Sequence, residues 1–367
     1  MKYYIIAGEA SGDLHGSNLI KAIKQQDFKA EFRFWGGDLM SENVGTEPVK
    51  HYRDLAFMGF IEVAKNLRAI LGNIKFCKQD LKKYQPDVLV LIDYPGFNLR
   101  IAKYAKSLGI RVVYYISPQL WAWKESRVKI IKKYVDKMLV ILPFEKDFYT
   151  KHKVEAHFVG HPLLDAISDL PEIDIQKFKS EHHLNNKEII SLLPGSREQE
   201  VEKMLELMLS VRPHFPDYQF VIAGAPSLPK SFYKKYVDEN VHFVSNKTYD
   251  LLRCSQAALV TSGTATLETA LLNVPEVVCY RGSKISFAIA KRLVKHIKYI
   301  SLVNLIMDQE IVKELIQNEL TTENLTRELE LILNKKRMKI LSDYQQLREK
   351  LGGKGASENA AKIIVNQ

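Results

Sequence analysis

The chain has 367 residues, of which 46% are hydrophobic, and its 53 Lys and Arg against 43 Asp and Glu give a net charge of +10. This length predicts about two domains, and the composition excludes a disordered or fibrous protein. The three cysteines are widely spaced, which excludes a disulfide framework or a C-x-x-C metal site and favours a reducing compartment. No apolar run reaches the length of a membrane span, and the N-terminus opens into a predicted strand rather than a signal sequence.

In chain order, the first half alternates short apolar runs with helical patterns. Strands are predicted at 2–7, 31–35, 87–92, 110–116 and 137–142, and helices at 15–26, 61–84, 98–107 and 125–134. Alternation of this kind predicts an α/β domain with a parallel sheet and helices on both faces.

The second half repeats the alternation. Strands are predicted at 189–193, 218–223, 241–244, 257–260 and 277–279, helices at 198–212, 230–239, 248–253 and 265–272, and a mostly helical segment from 310. We therefore predict two Rossmann-like domains, facing across a cleft, with a C-terminal helical tail. The predicted boundaries are 1–165 for the first domain, 166–187 for a linker, 188–340 for the second domain and 341–367 for the tail.

Ligands of open parallel sheets bind outside the carboxyl ends of the strands, so the residues that follow each strand are the candidates. After strand 87–92 comes Asp93, which is either part of an Asx turn fixed by Pro95 or a general base whose pKa burial raises. The loop after strand 2–7 lacks G-x-G-x-x-G spacing, so no nicotinamide or flavin cofactor is expected. Its polar residues are expected to line the cleft: Glu9, Ser11 and Asp13.

Two loops of the second half predict a diphosphate site. Each follows an apolar strand, contains glycine and leads directly into a helix, whose first N–H groups attract phosphate. The candidates are Gly195, Ser196 and Arg197 in one loop, and Ser262, Gly263, Thr264 and Glu268 in the other. Arg197 offers a planar fork of donors, and Glu268 could accept hydrogen bonds from ribose hydroxyls. The alternative is that Ser196 and Thr264 only cap helices.

The positive charge is concentrated in residues 1–165, which carry 26 Lys and Arg against 18 Asp and Glu. Lys129, Lys132, Lys133 and Lys137 are spaced to share one helix face, which could meet an anionic surface or simply be solvated. No zinc-finger, KH or RRM signature accompanies them, so nucleic acid is not expected as a partner.

Seven segments form an ordered set of motifs along the chain: Gly8–Asp13, Asp93–Asn98, Ser117–Trp123, Leu142–Glu145, Gly160–Pro162, Leu193–Arg197 and Ser262–Glu268. Together they resemble the bacterial lipid-A-disaccharide synthase family. The resemblance implies an inverting, metal-independent glycosyltransferase of the two-Rossmann GT-B type, without a cofactor. It would join UDP-2,3-diacylglucosamine to 2,3-diacylglucosamine 1-phosphate, giving the β-1,6-linked disaccharide 1-phosphate and UDP, on the inner face of the cytoplasmic membrane.

The resemblance also implies roles for single residues. Asp93 matches the proposed base, and Arg197, Glu268 and Asn304 match donor-site positions. Asn98, Gln119 and Trp123, which lie in the matching segments, are expected to line the acceptor side of the cleft. No D-x-D pair occurs in the sequence, so Arg197 and the helix N-termini would stabilise the departing UDP instead of a metal ion. Many family members carry a second carboxylate where this chain has Gly96.

Both expected substrates carry acyl chains, and residues 57–71 are unusually apolar. Phe57, Met58 and Phe60 are therefore predicted to contact acyl chains or an anionic membrane surface, although an ordinary buried helix has the same pattern. A homodimer is left open. The alternatives to the transferase are a UDP-N-acetylglucosamine 2-epimerase on the same scaffold and a basic, non-enzymatic binding protein, which would be indifferent to UDP.

Overall fold

The computed structural model describes residues 1–55, 67–123, 125–225, 227–282 and 298–366. It divides into two compact units. The first contains residues 1–165 together with the segment from 351, and the second contains residues 166–350. Of the predicted tail, 341–367, the residues up to 350 belong to the second unit and those from 351 to the first.

A parallel sheet forms the centre of the first unit. Its strands are β1 (Lys2–Ala7), β2 (Glu31–Gly36), β3 (Lys50–His51), β4 (Val88–Ile92), β5 (Arg111–Tyr115), β6 (Lys137–Val140) and β7 (Ala156–Phe158). They lie in the order β3-β2-β1-β4-β5-β6-β7, and each described pair is parallel. The strand order reverses between β1 and β4, which is the topological switch point at which such sheets bind ligands.

Helices flank this sheet. They are α1 (Ala10–Gln26), α2 (Asp38–Val44), α3 (Leu67–Tyr84), α4 (Pro95–Ser107), α5 (Leu120–Trp123), α6 (Val128–Tyr134), α7 (Pro143–Lys151) and α8 (Pro162–Ser168), which continues across the boundary at 165. The central strands read as continuous apolar runs because both faces are covered. All five residues of β4 are buried, and each such side chain contributes about 1.5–3 kcal/mol.

The second unit repeats the architecture. Its strands are β8 (Glu188–Leu193), β9 (Tyr218–Gly224), β10 (Val241–Ser245), β11 (Ser255–Thr261), β12 (Glu276–Tyr280) and β13 (Lys313–Ile316). They lie in the order β10-β9-β8-β11-β12-β13, again parallel, with the switch point between β8 and β11. The two-domain α/β fold predicted from the sequence is confirmed.

Helices also flank the second sheet, and one further helix at the end of the chain belongs to the first unit. They are α9 (Ile175–Glu181), α10 (Glu198–Leu209), α11 (Lys230–Tyr233), α12 (Thr248–Arg253), α13 (Thr264–Leu271), α14 (Leu302–Met307), α15 (Thr322–Leu333) and α16 (Arg337–Lys350), followed by α17 (Ala356–Val365) of the first unit. No helix of the described residues is both long and apolar enough to cross a bilayer.

Hydrogen bonds at the N-terminus of α17 hold this helix against the rest of the first unit. Asp165 accepts hydrogen bonds from the N–H groups of Gly355 (2.6 Å) and Ser357 (2.9 Å), and Arg111 donates to the carbonyl oxygens of Ile363 and Ile364. A carboxylate at a helix N-terminus meets unpaired N–H groups and the positive end of the helix dipole. Asp165 therefore holds the returning chain by its first turn.

Several elements differ from the predictions. The first helix begins at Ala10 rather than 15, and residues 234–239, predicted helical, form only a 3₁₀ turn followed by extended chain. Within the segment predicted to be mostly helical, Lys313–Ile316 is an edge strand, because it pairs with β12. Lys137 lies on β6 rather than on the helix that carries Lys129, Lys132 and Lys133. The short elements β3, β7, α2, α7, α8 and α9 were not predicted, since their patterns are too brief to show a period.

Candidate active site

The exit of β4 places Asp93 at the switch point of the first sheet. Asp93 and Tyr94 have φ values of +42° and +47°, and Ile116, at the exit of the neighbouring strand β5, has +65°. Left-handed backbone is uncommon outside glycine, and for a β-branched residue it is strained. Such clustered outliers next to a predicted site are typical of functional loops.

Polar side chains from neighbouring elements hold this strained turn. The carbonyl oxygen of Asp93 accepts hydrogen bonds from the Tyr114 hydroxyl (2.5 Å) and from the Asn98 side chain (2.7 Å). Asn98 also donates to the carbonyl of Ile92 (3.1 Å) and is fully buried. Asn98, predicted on the acceptor side, thus supports the main chain of the predicted base.

The pKa of the Asp93 carboxyl group lies well above that of an ordinary aspartate. Burial, followed by the negative charge of Glu9, raises the pKa of Asp93 to about 7, and a hydrogen bond from the Tyr94 N–H opposes this increase. Both carboxylates stand at the switch point, Glu9 two residues after the end of β1 and Asp93 directly after β4. A carboxyl group with a pKa near 7 is ionised half the time at neutral pH and can accept a proton efficiently.

Close packing of the two loops requires a glycine. A Cβ on Gly8 would lie 2.4 Å from the Tyr94 ring, so only glycine allows the ring to approach the end of β1. The loop after β1 and the loop after β4 are therefore one packed unit, as the switch-point argument predicts.

The remaining polar residues of the first loop divide between surface and core. Ser11 is exposed and Glu9 is partly exposed. Asp13 is buried, and its carboxylate accepts hydrogen bonds from the N–H groups of Gly37 (2.6 Å), Leu39 (3.1 Å) and Met40 (3.2 Å). These bonds cap α2, so Asp13 has a structural role in addition to its predicted place in the cleft.

The loop Ser117–Trp123 follows β5 at the same edge of the sheet. Ser117, Pro118 and Leu120 are buried, whereas Gln119 is exposed. The side chain of Trp123 lies outside the described part of the structure, as do Phe57, Met58 and Phe60. The acceptor-side and acyl-contact roles of these residues stay predictions.

In the second unit, the first predicted phosphate loop lies between β8 and α10. Gly195 has φ +106°, and a Cβ there would lie 2.4 Å from the Glu200 carboxylate. The Ser196 N–H donates to that carboxylate (3.4 Å), and the Ser196 carbonyl accepts from the Ser227 hydroxyl (2.7 Å). Arg197 is exposed at the N-cap of α10. The loop is thus tightly folded, with its cation on the surface.

The second predicted phosphate loop lies on the other side of this switch point, between β11 and α13. Gly263 is the N-cap of α13, its carbonyl accepts from the Thr266 hydroxyl (2.9 Å), and Thr264 is exposed. The Ser262 hydroxyl donates to the Ile300 carbonyl (3.1 Å). The two predicted phosphate loops therefore flank one switch point, where helix N-termini commonly bind diphosphates.

Glu268 and Asn304 have partners within the protein. The Tyr249 hydroxyl donates to the Glu268 carboxylate (3.1 Å), and burial raises the pKa of Glu268. Asn304 is buried; its amide donates to Val312 and Glu314, and its oxygen accepts from the N–H groups of Ile311 and Val312. All four hydrogen-bonding positions of Asn304 are used in this way, so binding a donor sugar would require one of these bonds to break.

Sequence reasoning did not identify Tyr114 and Tyr249, which hold Asp93 and Glu268. Each lies about twenty residues from its partner along the chain, and a lone tyrosine in an apolar strand or short helix gives no local signal. Among the described residues, no group of three His, Cys, Asp or Glu side chains could hold a metal ion.

A cavity of about 620 Å³ lies elsewhere, lined by residues at the amino ends of β4 and β5, among them Asp87 and Arg111. Arg111 there binds carbonyl oxygens of the last helix, as described above. Because parallel sheets bind ligands at the carboxyl ends of their strands, we place the candidate site at the switch points rather than in this cavity.

Comparison with known proteins gives consistent results. A family model described as lipid-A-disaccharide synthetase matches residues 3–366. The chain is 37% identical to the lipid-A-disaccharide synthase of Coxiella burnetii (strain CbuG_Q212), covering 99% of this chain and 97% of that protein. It is 38% identical to the lipid-A-disaccharide synthase of Syntrophus aciditrophicus (strain SB), covering 98% and 96%.

Solved structures share the fold at low sequence identity. The UDP-GlcNAc 2-epimerase from Neisseria meningitidis bound to UDP-GlcNAc has a TM-score of 0.65 and 17% identity, covering 100% of this chain and 98% of that one. The S. aureus MnaA-UDP co-structure has a TM-score of 0.69 and 14% identity, covering 97% and 94%. At this identity the likeness extends to the fold alone.

Proposed function

Because the chain belongs to the lipid-A-disaccharide synthase family, we propose that Asp93 is the general base of its reaction. The chain is a glycosyltransferase that forms the lipid A disaccharide, and its substrates are a UDP-sugar and a lipid phosphate. The finer assignment is UDP-2,3-diacylglucosamine as donor and 2,3-diacylglucosamine 1-phosphate as acceptor.

The proposed role of Asp93 as the base rests on its environment. It stands at the switch point of the first sheet, in strained backbone, with a pKa raised to about 7 by burial and by Glu9. In the proposed step, the carboxylate takes the proton of the acceptor 6-hydroxyl group as that oxygen attacks the anomeric carbon. The new C–O bond forms as the bond to UDP breaks, so the configuration inverts and UDP leaves with the electron pair.

The departing diphosphate needs positive charge. Arg197 and the N–H groups at the N-termini of α10 and α13 are the donors we assign to it, with Glu268 on the ribose or sugar hydroxyls. Donors fixed before the reaction stabilise the developing charge without reorganisation. The absence of a D-x-D pair from the sequence supports a reaction independent of a metal ion.

We place the enzyme on the inner face of the cytoplasmic membrane, where its acylated substrates reside. Lys129, Lys132 and Lys133 of α6 are exposed, next to Ile130, which is 37% exposed. The buried face of this helix is Val128 and Ile131, so the lysines point to solvent. Each exposed lysine near an anionic bilayer gains about 1 kcal/mol, which supports peripheral binding.

The test is an assay in detergent micelles with both acylated substrates, following UDP release and the disaccharide by mass, with and without EDTA. Equal product formation in both conditions is expected. Release of UDP without disaccharide would contradict the proposed identity of the acceptor. Loss of activity with EDTA would contradict the proposed independence of a metal ion. UDP should also raise the melting temperature of the protein, since it binds only the folded state. Conversion of UDP-N-acetylglucosamine to its 2-epimer, measured in parallel, would instead indicate the epimerase reaction.

Membrane binding is tested separately by sedimentation with vesicles. Wild-type protein should sediment with phosphatidylglycerol-containing vesicles and much less with pure phosphatidylcholine. Replacing Lys129, Lys132 and Lys133 together by Gln should reduce the partition coefficient about 100-fold, because each lysine contributes about 1 kcal/mol and about 1.4 kcal/mol is a factor of ten. Equal sedimentation of the variant and the wild type would contradict a role for α6.

A further inference from the structure

A hydrogen-bond network in contact with the second predicted phosphate loop centres on Glu314 of the edge strand β13. Glu314 is 7% exposed, and its carboxylate accepts four hydrogen bonds. One oxygen accepts from the Ile300 N–H (2.9 Å). The other accepts from the N–H and the hydroxyl of Ser301 (2.9 and 2.8 Å) and from the side-chain amide of Asn304 (2.9 Å). All four donors belong to residues 300–304, so a single carboxylate fixes that segment.

Glu314 shares its face of the sheet with a second buried acid. β12 and β13 pair in parallel with Val278 opposite Glu314, so Glu276, two residues before Val278, lies on the same face. Burial, followed by the charge of Glu314, raises the pKa of Glu276 well above its usual value. A raised pKa favours the protonated form of Glu276, which relieves repulsion between the two acids. The four donors at Glu314, in contrast, suit a carboxylate, which only accepts hydrogen bonds.

The same segment forms the start of α14. Ser301 is the N-cap of this helix, and its hydroxyl accepts from the Asn304 N–H (3.3 Å) while it donates its proton to Glu314. The Asn304 side chain donates to the Val312 carbonyl (2.8 Å) as well as to Glu314, and its oxygen accepts from two N–H groups. Neither side chain can turn without losing a bond, so these polar groups hold one another in one arrangement.

The segment held in this way supports the predicted phosphate loop through one carbonyl group. The Ser262 hydroxyl donates to the Ile300 carbonyl (3.1 Å), and the Ile300 N–H is one of the donors to Glu314. Ser262 directly precedes Gly263, the N-cap of α13. Two hydrogen bonds, joined by the main chain of Ile300, thus connect Glu314 to the helix N-terminus that we assign to UDP. Small shifts of a substrate-binding group have large effects on binding and rate.

We propose that Glu314 is a positioning residue for donor binding, which holds the loop at 262–264 in place through Ile300 and Ser262. This inference rests on the proposed function, in which that loop binds UDP. Glu314 touches neither the donor nor the reacting atoms and transfers no proton. Asn304 takes part in the same support, since its side chain is used within the network rather than on the donor sugar.

The experiment compares Glu314→Gln with the wild type in the micelle assay and by calorimetric titration with UDP. Glutamine has the same size, but its NH₂ group must face at least one of the four donors, so the segment shifts. The Kd for UDP and the KM for the UDP-sugar should each rise about 10-fold, while the KM for the acceptor stays unchanged. Glu310→Gln is the matched control, because Glu310 is exposed and pairs with Lys313 at the surface (2.9 Å); it should leave all constants unchanged.

A double-mutant cycle separates positioning from a general loss of stability. Ser262→Ala removes the hydroxyl at the other end of the connection, and Ser262 is only partly buried, so the fold should be retained. This variant should also raise the Kd for UDP about 10-fold, and the double variant should raise it little further, because both substitutions break one connection. A 100-fold rise in the double variant, equal rises in both KM values, or an unchanged Kd for UDP in either single variant would overturn the proposal.

Two further outcomes are covered by the same titrations. If Glu314→Gln does not fold, Ser301→Ala takes its place in the cycle, since it removes one of the four bonds and leaves the other three. It should raise the Kd for UDP about threefold, again without adding to Ser262→Ala; additive effects would overturn the proposal. If the wild type binds UDP but makes no disaccharide, the proposed function fails, and the UDP titrations still decide whether Glu314 positions the loop.

Discussion

The two switch points of this molecule are built on the same topology but differ in chemistry. In the first unit, Asp93 stands in left-handed backbone, held by the Tyr114 hydroxyl and the buried Asn98. In the second unit, Arg197 is exposed at the N-cap of α10, and the loop folds around Gly195 with φ +106°. The exit of β4 places an acid in a partly buried setting, and the exit of β8 leads to a cation on the surface.

The difference matches the roles proposed above for the two groups. A carboxyl group accepts a proton at neutral pH only if its pKa is raised, and burial raises it, so the strand exit that carries Asp93 must be enclosed and braced. A guanidinium group is charged at any physiological pH and needs no such tuning. The second exit can therefore stay open to an incoming diphosphate. The predictions below test this division of roles.

The largest effect is expected from Asp93→Asn. Asparagine tolerates left-handed backbone and has nearly the same shape, so the fold should be retained. Loss of the base should lower kcat about 10²- to 10⁴-fold, with the donor KM unchanged. Steady-state kinetics in micelles measures both, and thermal unfolding checks the fold. Turnover close to that of the wild type in a folded variant would remove Asp93 from the mechanism.

A somewhat smaller effect is expected from Arg197→Ala. Removing one fixed donor to the leaving group should lower kcat/KM for the donor about 10²-fold and reduce the rise in melting temperature caused by UDP. The control is Arg212→Ala in the same unit, which removes an ion pair with Asp238 between partly exposed side chains, worth little. Equal effects of the two substitutions would contradict a specific role for Arg197.

Glu9→Gln is expected to move the pH profile rather than abolish activity. Burial raises the pKa of Asp93 most, and the charge of Glu9 raises it further, to about 7. Without that charge the pKa falls, so the base becomes ionised at lower pH and the rising limb of kcat moves to the acid side. Relative to its own maximum, the variant should be about threefold more active near pH 6.

The matched control for this shift is Glu9→Asp, which keeps the charge. Its profile should stay near that of the wild type. Because Glu9 is also predicted to line the acceptor side, each profile is normalised to its own maximum before comparison. A rising limb that stays in place, or moves to the alkaline side, would show that Glu9 does not act on the pKa of the base.

Much of this arrangement could be predicted from the sequence because its signals are local. The alternation of apolar runs and helical patterns predicted the two parallel sheets, and strand exits pointed to Asp93 and Arg197. Parallel strands with both faces buried give long apolar runs that end abruptly at polar loops. The residue after such a run is easy to identify even when its role is not.

What the sequence did not predict depends on partners far apart in the chain. The carboxylate of Asp13 caps α2 at Gly37, and the Tyr114 hydroxyl supports Asp93. Neither pairing has a periodic signal, since the partners meet only when the sheet forms. The edge strand Lys313–Ile316 was missed for the same reason, because its pairing with β12 overrides its local pattern.

The smallest effect is expected from Gly96→Asp, which tests whether the carboxyl group of Asp93 is enough by itself. A Cβ at Gly96 would meet nothing within 4 Å, and Gly96 has no positive φ, so a side chain fits without strain. An acid in the first turn of α4 should raise the free energy of unfolding by about 0.5 kcal/mol, with Gly96→Ala separating helix propensity from charge. Turnover should change less than about twofold, since the exposed position leaves the burial of Asp93 intact. A many-fold increase in kcat would mean that a second carboxylate takes part in the reaction, and that the first switch point works as a pair of acids rather than as one tuned base.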